Sequence, residues 1–152
     1  MTAWAHGIRR LLAEDIGAMR AMLSMMGRAF DEVGTYTHAQ PDDDYLRRLL
    51  EGPHFIALAA TVEGEVVGGL AAYELQKFEQ ARSELYIYDL AVDAAHRRRG
   101  IATALIGELR TIARERGAWV IYVQADPPDA PAMALYSALG TREDVCHFDI
   151  AV

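Results

Sequence analysis

An aromatic, apolar run that turns sharply into a long amphipathic helix constrains this chain more than any other feature. Ser83 to Val92 (SELYIYDLAV) reads as a strand and Asp93-Ala94-Ala95 as a break. Gly100 to Arg116 then reads as a helix carrying Ile101, Leu105, Leu109 and Ile112 on one face, stopped by Gly117. Between break and helix stands His96-Arg97-Arg98-Arg99-Gly100-Ile101-Ala102. A strand joined to a helix by so short a turn places sheet and helix in adjacent layers, which is an α/β arrangement.

The flanking segments fit that arrangement. Ile8 to Leu12 is a short first strand, and Asp15 to Phe30 spaces Ile16, Met19, Met22, Leu23, Met26 and Phe30 as a helix. Those methionines are core filler rather than ligands. A Gly/Thr/Tyr loop follows, then a second helix from Pro41-Asp42 to Leu50, with Asp42, Asp43 and Asp44 in its first turn where negative charge suits the helix dipole. Phe55 to Val62 and Glu65 to Leu75 form a hairpin around Glu63-Gly64. Trp119 to Gln124 is a buried-type strand, Ala130 to Leu139 a helix stopped by Gly140, and Val145 to Ile150 a closing strand. No repeat or linker divides the 152 residues, so 1–152 is expected to be a single domain.

Charge and cysteine usage narrow the chemistry. No apolar run approaches the ~20 residues of a membrane span, and the N-terminus MTAWAHGIRRLL has no apolar signal core. The expected compartment is the cytoplasm, with no membrane partner. The single cysteine, Cys146, excludes an internal disulfide and is expected to be a buried thiol rather than an acyl-carrying nucleophile. His6, His38, His54, His96 and His147 lack the spacing of a metal site, so no metal is expected. A net charge of −7 argues against a nucleic-acid partner. It agrees with a cationic ligand, although on charge alone plain solubility is the stronger reading.

Glycine and a small residue at a helix opening let a ligand approach the backbone, and the free N–H groups with the helix dipole suit a pyrophosphate. Arginines just upstream add charged donors. From the residues alone, a basic loop ahead of a helix is an equal reading. Arg97-x-x-Gly100-x-Ala102 after Leu90-Ala91-Val92, however, resembles the acetyl-CoA signature of the GCN5-related N-acetyltransferase superfamily. That resemblance implies a central mixed, mostly antiparallel sheet flanked by helices. It also implies acetyl-CoA as cosubstrate, held by Leu90, Ala91, Val92, the run Arg97, Arg98, Arg99, Gly100, Ile101, Ala102, Thr103 and Ala104, and by Tyr136.

Further segments resemble the type I aminoglycoside 3-N-acetyltransferases. They are Phe55-Ile-Ala-Leu-Ala-Ala, Lys77-Phe-Glu-Gln, Arg82-Ser-Glu with Tyr86-Ile-Tyr-Asp-Leu-Ala-Val, Tyr122-Val-Gln-Ala-Asp126 and His147-Phe-Asp-Ile150. The resemblance spans Arg9 to Ile150 and implies acetylation of the 3-amino group of 2-deoxystreptamine in gentamicin-like antibiotics, by a homodimer. Pro127-Pro128 is the expected point of departure. Direct transfer needs a polarised thioester carbonyl, for which the family implies the Val92 N–H. It needs an acid for the leaving thiolate, expected to be Tyr136, and an acceptor for the ammonium proton, expected to be Asp126. Asp89 is a costly carboxylate in an apolar strand, expected either to relay a proton or to pair with an arginine such as Arg82. Glu79, Glu84 and Asp129 complete the expected acceptor site with Asp89 and Asp126. Two rivals remain: a transferase for another amine, such as a polyamine or protein amine, and an acyl-CoA sensor without turnover.

Overall fold

The computed structural model describes residues 7–152. His6 and the first half of the N-terminal segment read above for a signal core lie outside the described residues. Five strands form one sheet in sequence order: β1 (Ile8–Arg10), β2 (Phe55–Val62), β3 (Glu65–Gln76), β4 (Ser83–Val92) and β5 (Ala118–Val123). The first four are antiparallel, and β5 lies parallel to β4. A parallel pair needs a crossover of a dozen residues or more, supplied here by α4 (Ile101–Arg116).

Helices α1 (Ile16–Ala29), α2 (Val33–Thr37) and α3 (Asp43–Glu51) precede β2, and α5 (Ala130–Leu139) follows β5. Two apolar layers hold the sheet between them. On one face Met19, Met22, Met25, Met26, Leu46 and Leu50 of α1 and α3 close over Phe55, Ala57 and Ala59. On the other, Ile101, Leu105, Leu109 and Ile112 of α4 close over Ile56, Leu58, Leu70, Leu85 and Ile87. The expected α/β class, with a mixed and mostly antiparallel sheet, is the architecture found.

Three segments differ from expectation. β5, read as a buried strand, has no buried residue and leaves Trp119 55% exposed, because it is the last strand of the sheet. The loop after α1 contains α2, because Tyr36 is anchored from outside: its ring lies 5.7 Å from Phe30 and its hydroxyl donates to Asp89. A five-residue helix has little stability of its own, so its local sequence carries no strong signal. The closing strand over Val145–Ile150 is absent. Residues 141–152 are exposed and pair with no strand, and Cys146 is exposed rather than buried. Alternation specifies an extended backbone without specifying a partner, and within this chain the segment has none.

The helices sit close because β3 has no side chains where they cross it. A Cβ at Gly68 would lie 2.8 Å from Ile101 Cγ2, and one at Gly69 would strike the Met22 thioether. Gly69→Val is therefore expected to push α1 off the sheet at an overpacking cost of about 1–3 kcal/mol. At this chain length each kcal/mol lowers Tm by roughly 2–4 °C. A calorimetric Tm within a degree of the parent protein would show that α1 yields freely.

Candidate active site

The site begins where two strands part. The β4–β5 register ends at Ile87 opposite Val123, so Tyr88 to Val92 have no strand beside them on the β5 side. Asp93 N–H donates to Val67 O at 2.8 Å, toward β3. Backbone groups alternate direction along a strand, so Val92 and Leu90 turn theirs into the open fork while Ala91 faces Gly69 of β3. Leu90, Val92, Val123, Leu135 and Tyr136 rim the same apolar layer, over Ile101 and Leu105.

The N-terminus of α4 follows directly. Gly100 caps it in the left-handed region (φ 81°), and no side chain caps the helix. Its first backbone bond is Ala104 N–H to Gly100 O at 3.0 Å, which leaves the N–H groups of Ile101, Ala102 and Thr103 free of helical partners. A Cβ on Gly100 would meet no atom within 4 Å, so the space over those donors is open. Arg98, itself at φ 62°, and Arg99 are exposed beside it. Three free donors, a helix dipole and two available guanidinium groups fit a pyrophosphate. Arg97 does different work: its Nε donates to Val92 O at 3.3 Å and its Nη2 to Ala29 O at 3.5 Å, tying the turn to β4 and α1.

A bulge decides where Asp89 points. Ala71 faces Asp89 and Ala72 faces Ile87, so Tyr88 is an extra residue in β4. Before it, Leu85 and Ile87 point into the α4 layer; after it, Leu90 and Val92 do. Asp89 is thereby taken out of the α4 core and given to the α1–α2 face. There Tyr36 Oη donates to its Oδ1 at 3.0 Å. Arg82, expected as a possible partner, instead lies 3.5 Å from Glu79 and stacks 4.3 Å above Trp119. Burial, opposed by the Tyr36 hydrogen bond and joined by the Glu32 charge, raises the Asp89 pKa above its ordinary value. Burial and the Asp89 charge likewise raise that of Tyr36.

The sign of the linkage follows. An acid raised on folding costs stability as pH climbs from its unfolded value, near ~3.9, through the raised folded one. Asp89→Asn keeps an oxygen for Tyr36 and removes that cost. Its Tm advantage over the parent protein is expected to grow between pH 4 and 7, in melts taken at each pH. An advantage constant across that range would place the Asp89 carboxyl in water.

Around Asp89 the tyrosines form a wall. Tyr73 and Tyr88 lie 5.9 Å apart, Tyr88 and Tyr86 5.6 Å, and Tyr86 stacks on Tyr122 at 4.6 Å. Tyr86 Oη also donates to Gln124 Oε1 at 2.9 Å. The wall and Tyr36 were not among the sequence candidates. The burial of Asp89 was the available signal, because it demanded a donor from somewhere.

The remaining candidates separate into groups. Tyr136, on α5, is half-buried, and burial with the nearby Asp129 charge pushes its pKa up to about 12, so it carries its proton at neutral pH. Asp126 is exposed in the turn after β5. Asp129 caps α5, accepting from Ala132 N–H at 3.2 Å. Glu84 lies at the start of β4, about 26 Å from Val92 at ~3.3 Å per residue, and Lys77 is 3.4 Å from it and 3.7 Å from Glu79. Glu79 and Glu84 therefore belong to an ion-paired cluster at the far end of the strand. A groove of about 540 Å³ between α1 and the β2–β3 turn, lined by Arg9, Ser24, Arg28 and Thr61, is on the other side of the sheet from α4. Among the described residues no group of three metal-ligating side chains occurs, and no helix is long and apolar enough to cross a membrane.

Known proteins show the same layout. The sequence model of the acetyltransferase (GNAT) family matches residues 19–141. An aminoglycoside acetyltransferase from an uncultured soil metagenomic sample is 57% identical over 97% of this chain and 99% of its own, with a TM-score of 0.96. A second soil-metagenome aminoglycoside acetyltransferase, crystallised with sisomicin, is 30% identical over 97% and 96% of the two chains, with a TM-score of 0.89. Human N-acetyltransferase 8 is 32% identical over 84 residues, 55% of this chain and 37% of that protein, so the chain matches little more than a third of that curated relative. The chain belongs to the GNAT acetyltransferase family, acyltransferases that take their acetyl group from acetyl-CoA.

Proposed function

We propose that this chain is an aminoglycoside 3-N-acetyltransferase that acts in the cytoplasm as a homodimer and protects the cell from gentamicin-like antibiotics. The open edge of β4 beside the uncapped start of α4 carries the reading, because it offers a thioester carbonyl and a pyrophosphate their donors in one continuous line. In this reading Arg98 to Ala104 hold the pyrophosphate, and Leu90 and Val92 pair with the pantetheine arm. The tyrosine wall with Asp89 at its centre suits a polycationic amino sugar, since aromatic faces and carboxylates both attract ammonium groups. The 57% identical relative is an aminoglycoside acetyltransferase, which supports the acceptor class.

The chemistry needs few groups. The acceptor arrives as an ammonium and gives a proton to Asp126, directly or through one water. Its nitrogen attacks the thioester carbon while the Val92 N–H stabilises the developing oxyanion. The C–N bond forms and the C–S bond breaks; Tyr136 protonates the departing thiolate and is itself reprotonated, through solvent, by the second proton that the nitrogen loses as the amide forms. Alignment of amine and thioester in the fork supplies much of the acceleration.

Thiol release from acetyl-CoA, measured against aminoglycosides, polyamines and peptides, tests the acceptor. Aminoglycosides with a free 3-amino group are expected to turn over and gain one acetyl, placed there by NMR. Their apparent affinity is expected to fall as salt rises toward ~0.15 M, where exposed charges are screened beyond ~8 Å. Turnover of peptides or spermidine-like amines alone would move the chain to another acceptor class, and binding of acetyl-CoA with no turnover would make it a sensor.

A further inference from the structure

Three contacts hold the short helix α2, and all of them fix Tyr36. The first is close approach: a Cβ on Gly27 of α1 would lie 3.1 Å from Tyr36 Cβ. The second is the Phe30 ring, 5.7 Å from that of Tyr36. The third is a clamp on its backbone. Gln40 Nε2 donates to Tyr36 O at 3.0 Å, and Gln40 Oε1 accepts from Arg20 Nη1 at 2.9 Å. Arg20 Nη2 in turn donates to Asp43 Oδ1 at 2.6 Å. Helices α1, α2 and α3 thus converge on one phenol, and that phenol donates to one oxygen, Asp89 Oδ1.

The second carboxylate oxygen remains open. Among the described residues the sealed side-chain atoms without a partner are Arg10 Nε, Arg82 Nε and His96 Nδ1. Asp89 Oδ2 has no partner either and is not one of them, so it opens to solvent. The groups around Asp89 are Glu32 and Tyr36 from the α2 side, Tyr73 from β3, and Tyr86 and Tyr88 from β4. None is a cation. A half-buried carboxylate set among phenols and a second anion lacks a positive charge.

We propose that Tyr36 is a positioning residue for acetyl transfer: its hydroxyl occupies Asp89 Oδ1, keeps that carboxylate ionised, and leaves Oδ2 to receive an ammonium of the acceptor other than the one that reacts. The role rests on the aminoglycoside reading above and leaves the reacting amine's proton to Asp126.

Two effects set the sign. Burial and the Asp89 charge raise the Tyr36 pKa, so the phenol stays a donor through the working range. Burial, with the Glu32 charge, raises that of Asp89, and the Tyr36 hydrogen bond opposes both. Without the hydroxyl, Asp89 keeps its proton to higher pH, and a neutral acid attracts no ammonium. One hydrogen bond to a charged group weighs at least about tenfold in such an equilibrium.

Tyr36→Phe keeps the ring against Phe30 and removes only the hydroxyl. With an aminoglycoside as acceptor, its kcat/KM is expected to fall short of the parent's by about threefold or less at pH 9 and by ~10-fold or more at pH 5.5. The loss is expected in KM, with acetyl-CoA affinity unchanged. The ratio at each pH removes the titration of the acceptor's own amines, which both proteins meet alike. A ratio constant with pH would overturn the proposal, since lost packing weakens binding equally throughout. If the parent protein turns over no aminoglycoside, the acceptor reading fails and this role with it.

A second measurement needs no turnover. The Asp89 carboxyl carbon, labelled with carbon-13 and assigned by its loss in Asp89→Asn, is titrated by NMR. Its midpoint is expected to move to higher pH in Tyr36→Phe, by the same ~10-fold in proton affinity. Gln40→Ala reaches the same hydroxyl by releasing the backbone clamp, and is expected to move the midpoint in the same direction. A midpoint that neither variant moves would overturn the proposal.

Discussion

Gly100→Asp is expected to weaken acetyl-CoA binding by ~10²-fold or more while leaving the protein folded. The affinity argument is electrostatic. The N–H groups of Ile101, Ala102 and Thr103 have no helical acceptor, and nothing in the chain occupies the space above Gly100. An aspartate in the cap position brings its own carboxylate to those donors, because aspartate is a preferred helix cap. It also repels the phosphates. Hydrogen bonds to charged groups contribute ~1.5–3 kcal/mol each, and tenfold in affinity is ~1.4 kcal/mol. Losing two of them gives the stated factor.

Folding survives for a separate reason. At φ 81° a side chain is strained, but aspartate is among the residues that tolerate the left-handed region best. Gly100→Ala provides the control: it carries the same backbone strain with no charge and no acceptor, so it is expected to lower Tm yet cost far less affinity. Calorimetric titration of both variants, each shown to be folded, separates the two effects. Equal losses in both would mean that backbone shape, rather than the free donors, governs the cradle. Unchanged affinity in both would remove the cradle altogether.

What was legible in the sequence follows the reach of each signal. The β4–turn–α4 unit declared itself because its determinants are local: apolar alternation, a glycine at each end of α4, and a 3.6-residue apolar stripe. Asp89 was legible as an anomaly but not as a contact. Its orientation depends on the bulge at Tyr88, which reverses side-chain parity without any proline or glycine to mark it, and its partner Tyr36 lies 53 residues away. Glu79 and Glu84 show the opposite limit. Carboxylates beside a strand look free in a sequence, whereas Lys77 and Arg82 engage them in space. Asp129 caps α5 through Ala132 N–H, a contact three residues away in its own helix. The tail shows the limit most plainly: a strand pattern is a property of one segment, but pairing belongs to two.

Asp126→Asn and Tyr136→Phe are expected to divide the reaction between acceptor and leaving group. Asp126 is exposed in the turn beyond the end of β5, three residues past the point where β4 and β5 part, and the proposed reaction gives it the acceptor's proton. Its conversion to asparagine keeps shape but loses the negative charge and the basic oxygen. Apparent aminoglycoside affinity is expected to fall, and kcat/KM to drop by ~10²-fold or more, the usual scale for loss of a general base. Acetyl-CoA binding should not change. Tyr136 acts later. With its pKa pushed up to about 12, the phenol carries a proton across the working range, so it is available as the donor that the proposed reaction needs when the C–S bond breaks. Tyr136→Phe removes the proton and keeps the ring against the apolar layer over Ile101. KM for the acceptor is therefore expected to hold while kcat falls, the pattern of an interaction made only in the transition state. Steady-state kinetics over pH 5–9 with both variants reads all of this at once. If both stay within about threefold of the parent enzyme, the two assignments fail together, and Asp89 becomes the carboxylate to test at the acceptor.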